Sequence, residues 1–518
     1  MVFKSPHQEV EIAEIPLHEF VLQRAGDLGA KPALIDGPSG RTITYAQLAG
    51  AVEAIAAGLH DRGFGKGDVL AIHSPNIPEY AVAYLAAIRL GGIVTPANPL
   101  YTAEELAFQL NDAGAKFLLT IPLFLETARE AAGQSAVKEV FVFGEAEGAT
   151  PFAELMKPGG EVPAFEGSFD DVIVLPYSSG TTGLPKGVML THRNLVGNIQ
   201  QTRGLHRLDE NDVLIGILPF FHIYGMEVIM NNGLVNGSTI VTMPKFDLEQ
   251  ALSLIQEHKI TRAYLVPPII LALAKHPLVD NYDLSSLDVI LSGAAPLGED
   301  MQTAVRARLD CQVLQGYGLT ETSPVTNLIP DGWDPKPGSV GTLVPNSEAK
   351  VVDVESGKEI GTGERCELWF RGPHIMKGYL NNTEATNITI DDDGFLHTGD
   401  IGYVDEEGYF YVVDRLKELI KYKGFQVPPA ELEALLLSHP KIADAAVIGV
   451  PDPEAGELPK AFVVPNGDLT EQEVIDFVAD KVAPHKKIRL VEIATEIPKS
   501  ASGKILRRIL IERERAAG

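Results

Sequence analysis

Between residues 177 and 187 the chain reads Tyr-Ser-Ser-Gly-Thr-Thr-Gly-Leu-Pro-Lys-Gly. Glycines at 180, 183 and 187 let several backbone N–H groups turn toward one point. The hydroxyls of Ser178, Ser179, Thr181 and Thr182 add donors, and Lys186 adds a full positive charge. The chemistry is that of a cradle for phosphate oxygens. A Walker A loop needs Gly-Lys-Ser/Thr opening a helix, whereas Lys186 is followed by Gly187 and the strand-like run Val188-Met189-Leu190. An ordinary P-loop ATPase is therefore disfavoured. A plain Ser/Gly surface loop explains neither Lys186 nor the apolar run Val172-Ile173-Val174-Leu175 that precedes it.

Four further constellations carry reactive or binding groups. Gln315-Gly316-Tyr317-Gly318-Leu319-Thr320-Glu321-Thr322 follows an apolar strand and ends in a hard oxygen donor suited to magnesium; alone, Gly-Tyr-Gly reads equally as a tight turn. His397-Thr398-Gly399-Asp400 precedes Asp414-Arg415, a carboxylate and a guanidinium able to share ribose hydroxyls, although Asp after Gly also suits a turn. His222 lies in Leu-Pro-Phe-Phe-His-Ile-Tyr-Gly, where a histidine among aromatics is commonly a packed core residue. Lys504 sits in a Ser/Gly loop near the C-terminus, where most lysines are simply solvated.

Taken together and in order, these strings resemble the motifs of the adenylate-forming superfamily of acyl-CoA synthetases, adenylation domains and luciferases. The resemblance implies ATP, Mg²⁺ and CoA as co-substrates and cofactors. It assigns Ser178, Ser179, Gly180, Thr181, Thr182, Gly183 and Lys186 to the nucleotide phosphates. Gln315, Gly316, Tyr317, Gly318 and Thr320 go to the adenine and α-phosphate, Asp400 and Arg415 to the ribose, and Glu321 to the metal. Lys504 becomes the cation that meets the charge developing when a carboxylate attacks the α-phosphorus. Lys417 becomes a hinge. Lys421, Lys423, Gly424 and Gln426 become the face presented for thioester formation, with Lys423 and Gly424 at the CoA.

Within the superfamily, Phe-His-Ile-Tyr at 221–224, Val266-Pro267-Pro268-Ile269 and Ser292-Gly293-Ala294-Ala295-Pro296 resemble 4-coumarate:CoA ligases. The implied acid is a hydroxycinnamate or a related aromatic acid. His222 would place its carboxylate, and Ile223, Tyr224, Val228, Gly293, Ala294, Ala295, Gly316, Pro324 and Val325 would line its tunnel, with Met226 beside them. A medium-chain fatty acyl-CoA ligase shares every nucleotide motif and stays open at this stage. So do a luciferase-like oxygenase, an amide-forming relative and a binding protein without turnover.

The elements that must position these residues follow from periodicity. Helical stretches near 46–62, 78–90 and 103–113 alternate with short apolar strands at 69–72, 92–96 and 116–120, and the alternation resumes from 192 to 293, the pattern of parallel α/β sheets. Residues 9–30 read as an amphipathic helix, 33–35 and 42–45 as a hairpin, and 223–235 as a helix. From about 338 short strands and turns predict a β-rich subdomain. The expected fold is α/β: a large N-terminal domain (1–414) of two αβ-layered sheet subdomains plus the β-rich one, a hinge at 415–417, and a small mobile α+β domain (418–518).

The 518 residues are 45% hydrophobic and carry a net charge of −27. From 415 onward 16 Lys and Arg face 16 Asp and Glu, leaving 27 against 54 for the rest, so the excess acid lies wholly in the larger part. Such a surface disfavours nucleic acid and anionic lipid as partners. No apolar run is long enough to span a membrane, no secretion or peroxisomal signal is evident, and a cytoplasmic monomer or homodimer is expected. Cys311 and Cys366 fit neither a redox pair nor a zinc site and read as buried small hydrophobes.

Overall fold

The computed structural model of the protein describes residues 1–178, 185–423, 425–500 and 503–517. Two nine-stranded sheets dominate, each parallel through its middle and antiparallel toward an end. The first runs through Lys186–Thr191, Val172–Val174, Ile93–Ala97, Val69–His73 and Ala115–Thr120. The second runs through Gln312–Gly318, Val289–Ser292, Arg262–Leu265, Val213–Gly216 and Thr239–Thr242. The N-terminal hairpin Pro32–Asp36 and Thr42–Thr44 joins the second sheet, pairing parallel with Thr239–Thr242 although some 200 residues earlier in sequence. The two sheets are thereby stitched together by the first part of the chain.

Helices lie where alternation predicts them because their ends carry local signals. Thr44 with Gln47, Thr102 with Glu105 and Thr191 with Asn194 form reciprocal capping boxes at Tyr45–Asp61, Ala103–Ala113 and His192–Arg203. Pro78–Arg89 is apolar nearly all round and is buried nearly all round, which marks a helix packed inside the molecule. One core cluster draws on this helix, on Tyr45–Asp61 and on both sheets.

Several expectations are corrected. The helix expected over 9–30 begins only at Leu17, after Pro16, and breaks into Leu17–Leu22 and Ala25–Leu28. The helix expected over 223–235 is a π-helix, Tyr224–Asn231, followed by the α-helix Asn232–Asn236. Cys311 is buried as expected, but Cys366 is only half-buried, its thiol 3.9 Å from Asp353 Oδ2.

The β-rich subdomain is a five-stranded sheet including Glu348–Val352, Cys366–Arg371, Leu396–Val404 and Phe410–Arg415, with Phe3–Lys4 at its edge. A smaller α+β domain follows. Its sheet holds Ile420–Tyr422, Phe425–Val427, Ile442–Asp452, Gly456–Pro465 and Leu490–Ile493, and its own core includes Val427, Leu432, Leu436, Val463 and Val474. The architecture is thus the expected α/β arrangement of a large N-terminal and a small C-terminal domain. Among the described residues no helix is long and apolar enough to cross a membrane.

Candidate active site

The two flanks of the glycine-rich stretch pair antiparallel, Tyr177 with Gly187 and Ser178 with Lys186. The expected ligands Ser179, Gly180, Thr181, Thr182 and Gly183 lie outside the described residues. Ser178 Oγ donates to Glu321 Oε1 at 2.9 Å, and Tyr379 OH donates to the same oxygen at 2.9 Å. The Lys186 ammonium stands 4.7 Å from the centre of the Tyr379 ring. Tyr379 reaches this place because Gly378–Tyr379 pairs with the strand Lys186–Thr191, Tyr379 opposite Val188. Burial and the Glu321 carboxylate raise the Tyr379 phenol pKa, so it remains a donor.

A second group forms where the β-rich sheet meets the end of Gln312–Gly318. Asp400 and Arg415 face each other across neighbouring antiparallel strands, which explains how residues fifteen apart come to share one place. Arg415 Nε is 3.4 Å from Asp400 Oδ1, and Tyr317 OH donates to Asp400 Oδ2 at 2.5 Å. Asp400 is 5% exposed. Burial raises its pKa, opposed by Arg415, Tyr317 and Lys504. Gln315 is turned elsewhere, its Oε1 accepting from Leu297 N at 3.1 Å. Gly316 and Tyr317 are half-buried at the strand end, Gly318 is exposed, and Thr320 opens a short 3-10 turn ending at Thr322.

His222 and Lys504 complete the constellation. His222 Nδ1 accepts from Tyr224 N at 3.2 Å. Burial, and then the Lys504 charge, push the His222 imidazole down to about 4, so it is neutral near pH 7. Burial and Arg415 push the Lys504 ammonium down to about 8, while Glu418 and Asp400 hold it up. The loop that carries Lys504 is closed by Ser500 N donating to Lys504 O at 2.8 Å and Lys504 N donating to Ser500 Oγ at 3.1 Å. It seats on the large domain: a Cβ at Gly503 would fall 2.8 Å from a Val266 methyl.

The residues expected to line an acid tunnel lie at strand ends and on the π-helix Tyr224–Asn231. Ser292 pairs with Gln315, so Gly293 and Gly316 follow side by side on parallel strands. Tyr224 OH donates to Leu291 O at 3.1 Å, and its ring lies so close to Gly293 that an added Cβ would sit 2.7 Å from it. Ile223, Val228, Pro324 and Val325 are buried, as is Met226. Ala295 is half-buried, and Ala294 is exposed with a φ of 68°.

Other expected residues are not brought here. Lys421 and Gln426 oppose each other on the hairpin Ile420–Tyr422 and Phe425–Val427, and both are exposed, as is Lys423. Among the described residues no hydrogen bond or ion pair joins them to His222, Asp400 or Lys504. Gly424 lies outside the described residues. Lys417 is exposed in a turn in which Glu418 N donates to Arg415 O at 2.9 Å.

Sequence reasoning missed Tyr379 and Asn76. The Asn76 amide donates to Gly216 O and Leu218 O at 2.8 Å and accepts from Phe220 N at 2.7 Å, fixing the loop that delivers His222. An isolated asparagine and an isolated tyrosine carry no motif, and only strand pairing and loop contact reveal them.

The donor set fits a magnesium ion held largely by substrate phosphates. Such a site needs one or two carboxylates rather than a cage, and Glu321 supplies one beside Lys186. Among the described residues no cluster of three His, Cys, Asp or Glu forms a self-sufficient metal site.

Comparison with known proteins agrees with this geometry. The profile of the AMP-binding enzyme family matches residues 22–380, and that of the AMP-binding enzyme C-terminal domain matches 431–504. The chain belongs to this family of adenylate-forming enzymes. 4-Coumarate–CoA ligase 3 of Oryza sativa subsp. japonica is 46% identical over 98% of this chain and 94% of its own length. 4-Coumarate–CoA ligase 1 of Solanum tuberosum is 45% identical over 98% and 96%. These identities bear out the likeness read from the motifs. Among solved structures, ATP-bound MatB from Rhodopseudomonas palustris superposes with a TM-score of 0.88 at 31% identity, covering 97% of this chain and 99% of that one. The anthranilate CoA ligase AuaEII in complex with anthranoyl-AMP gives 0.91 at 27% identity, covering 98% of both.

Proposed function

We propose that the protein is an ATP-dependent carboxylate–CoA ligase that activates a 4-coumarate-like hydroxycinnamic or related aromatic acid as its acyl-adenylate and transfers the acyl group to CoA in the cytoplasm. The observation that carries this reading is the convergence of His222, Asp400, Arg415 and Lys504 on one place, with Lys186 and Glu321 gathered around Tyr379.

In the first step the acid's carboxylate oxygen attacks the α-phosphorus and pyrophosphate leaves. Asp400 accepts from the ribose hydroxyls with Arg415 beside it, and Tyr317 borders the adenine. Lys186, with the glycine-rich loop before it, holds the departing phosphates. Glu321 would hold Mg²⁺, which would supply positive charge against the phosphates. Neutral His222 orients the carboxylate without adding charge. Lys504, protonated below its pKa of about 8, supplies the cation where two anionic groups meet. In the second step the CoA sulfur attacks the acyl carbon and AMP leaves. Lys504 then occupies the space the thiol needs, so the small domain turns about Lys417, between a body of residues 1–414 and a mobile unit of 418–518. That turn presents Lys421, Lys423, Gly424 and Gln426.

The test is pyrophosphate release and ATP–pyrophosphate exchange with hydroxycinnamates, benzoates and medium-chain fatty acids, with and without CoA. Acid-dependent exchange, followed by an acyl-CoA product strongest for aromatic acids, supports the reading. Exchange with fatty acids alone would reassign the substrate, and absence of exchange with every acid would remove the function.

A further inference from the structure

Around the turn that follows Arg415 lies a set of charged groups that the two chemical steps do not use. Arg507 opens the terminal helix, three residues beyond Lys504, and its guanidinium is largely buried. It pairs with Glu418, donates to Glu433 Oε2 at 2.6 Å, and donates through Nε to Val447 O at 3.2 Å. Glu433 belongs to the helix Pro429–Ser438, and its second oxygen accepts from Val447 N at 2.8 Å. Asp414, on the last strand of the β-rich sheet, accepts from Ala430 N at 2.7 Å, at the start of that same helix. Two carboxylates, Glu418 and Glu433, therefore pair with one guanidinium, and the Asp414 charge acts on it as well.

Glu418 differs from the other two. It lies directly after Lys417, its backbone is tied to Arg415 O, and among the charges acting on Lys504 it is the first that favours the ammonium. The groups facing Lys504 are Arg415 and Arg507, which oppose its charge, Glu418 and Asp400, which favour it, and His222, which is neutral near pH 7. Glu433 and Val447 hold Arg507 to the helix and sheet of the small domain, whereas Glu418 connects it to the turn beside the ribose-side arginine.

We propose that Glu418 is a positioning residue for adenylation: gripped by Arg507, it ties the turn after Arg415 to the start of the terminal helix and so fixes where the Lys504 ammonium stands. This rests on the functional reading above for the step it serves. A change at Glu418 then acts through Lys504 and leaves the thioester step alone. The fold should tolerate Glu418→Gln, because Arg507 keeps Glu433 and Val447 O, and the terminal helix keeps Leu510 in the apolar cluster with Ala446, Ile448 and Phe462.

The test has two independent arms. Competitive acylation by a trace amine reagent, read by mass spectrometry at Lys504, gives the midpoint of its titration without reference to activity. Loss of a facing negative charge should move that midpoint down by roughly one pH unit in Glu418→Gln. ATP–pyrophosphate exchange should show its alkaline limb moving the same way. At pH 8 the protonated fraction would fall from about a half to about a tenth, a loss of roughly fivefold. Thioester formation from supplied acyl-adenylate should stay within about twofold, and in a Lys504→Ala background Glu418→Gln should cost exchange nothing more. An unchanged Lys504 midpoint, equal losses in both half-reactions, or a full additional loss in the Lys504→Ala background would each overturn the proposal. If wild-type protein never exchanges while Glu418→Gln still shifts the Lys504 labelling midpoint, the functional reading falls and the Glu418–Lys504 coupling stands.

Discussion

Gly293→Ala tests whether the Tyr224 ring forms a wall of the acid pocket. The new Cβ would lie 2.7 Å from Cε1, 2.9 Å from Cζ and 3.0 Å from the phenol oxygen of Tyr224. Carbon atoms in contact prefer 3.5 Å or more, so the ring would have to retreat by roughly 0.8 Å. It is poorly placed to do so, since its hydroxyl is anchored on Leu291 O and the residue is 8% exposed. Overpacking of this kind costs about 1–3 kcal/mol, against which the stiffer unfolded chain of alanine returns about 0.4–1 kcal/mol. The net cost to folding is roughly 1–2 kcal/mol, and a displaced ring that costs the acid a comparable amount of binding would lower its kcat/KM by about 5- to 30-fold. The assay is kcat/KM for the aromatic acid by pyrophosphate release, with the KM for ATP measured at saturating acid and the unfolding midpoint measured alongside. The acid term should fall by that factor, the ATP term should move less than twofold, and adding Tyr224→Phe should restore part of the loss by freeing the ring from Leu291. Unchanged kcat/KM for every acid, with unchanged stability, would refute the reasoning.

Lys504→Ala should lower exchange by roughly 100-fold or more, as loss of a transition-state cation does, while thioester formation from supplied acyl-adenylate persists; half-reaction assays check this. Tyr379→Phe keeps the ring under Lys186 but removes the hydroxyl from Glu321, so the magnesium dependence of exchange should shift by a few-fold with little change in acid preference. Thr191→Ala removes the side-chain cap of His192–Arg203 and should lower stability by about 1 kcal/mol, read by denaturant unfolding. Burial raises Glu433 to about 7, mainly against the pull of Arg507. Because the folded state binds this proton more tightly than the unfolded chain, its contribution is fully present below pH 4.5 and is lost as pH rises through about 7. Glu433→Gln should therefore flatten the decline of thermal stability over that window, checked by unfolding scans across pH.

Much of the architecture was legible because it is written locally. The spacing of Thr191 and Asn194 makes a cap wherever that helix packs, and alternation of apolar strands with helices leaves few options but layered parallel sheets. Order along the chain misled where tertiary pairing overrode it. The hairpin of Pro32–Asp36 and Thr42–Thr44 belongs to the sheet of much later residues, and no local signal announces that partnership. The helix expected from residue 9 starts at 17, since the preceding residues run along the large domain, where Val10 N donates to Asn346 Oδ1 and Ala13 N donates to Gln200 Oε1.

By itself the sequence determined which groups are present for chemistry: a glycine-hydroxyl-lysine loop, a Tyr-Gly-Leu-Thr-Glu segment, an Asp and an Arg fifteen residues apart, a histidine and a lysine near the C-terminus. Their types and short spacings need no partner to be read. Only the tertiary structure decided that Lys504 lies among Asp400, Arg415 and His222, that Tyr379 comes to Glu321 and Lys186, and that Glu418 and Arg507 stand behind the lysine loop. The physical reason is range. Backbone propensity and turn chemistry act over a few residues, whereas a charge's neighbours are set by strand register and domain seating across hundreds, where burial and facing charges then fix each group's protonation.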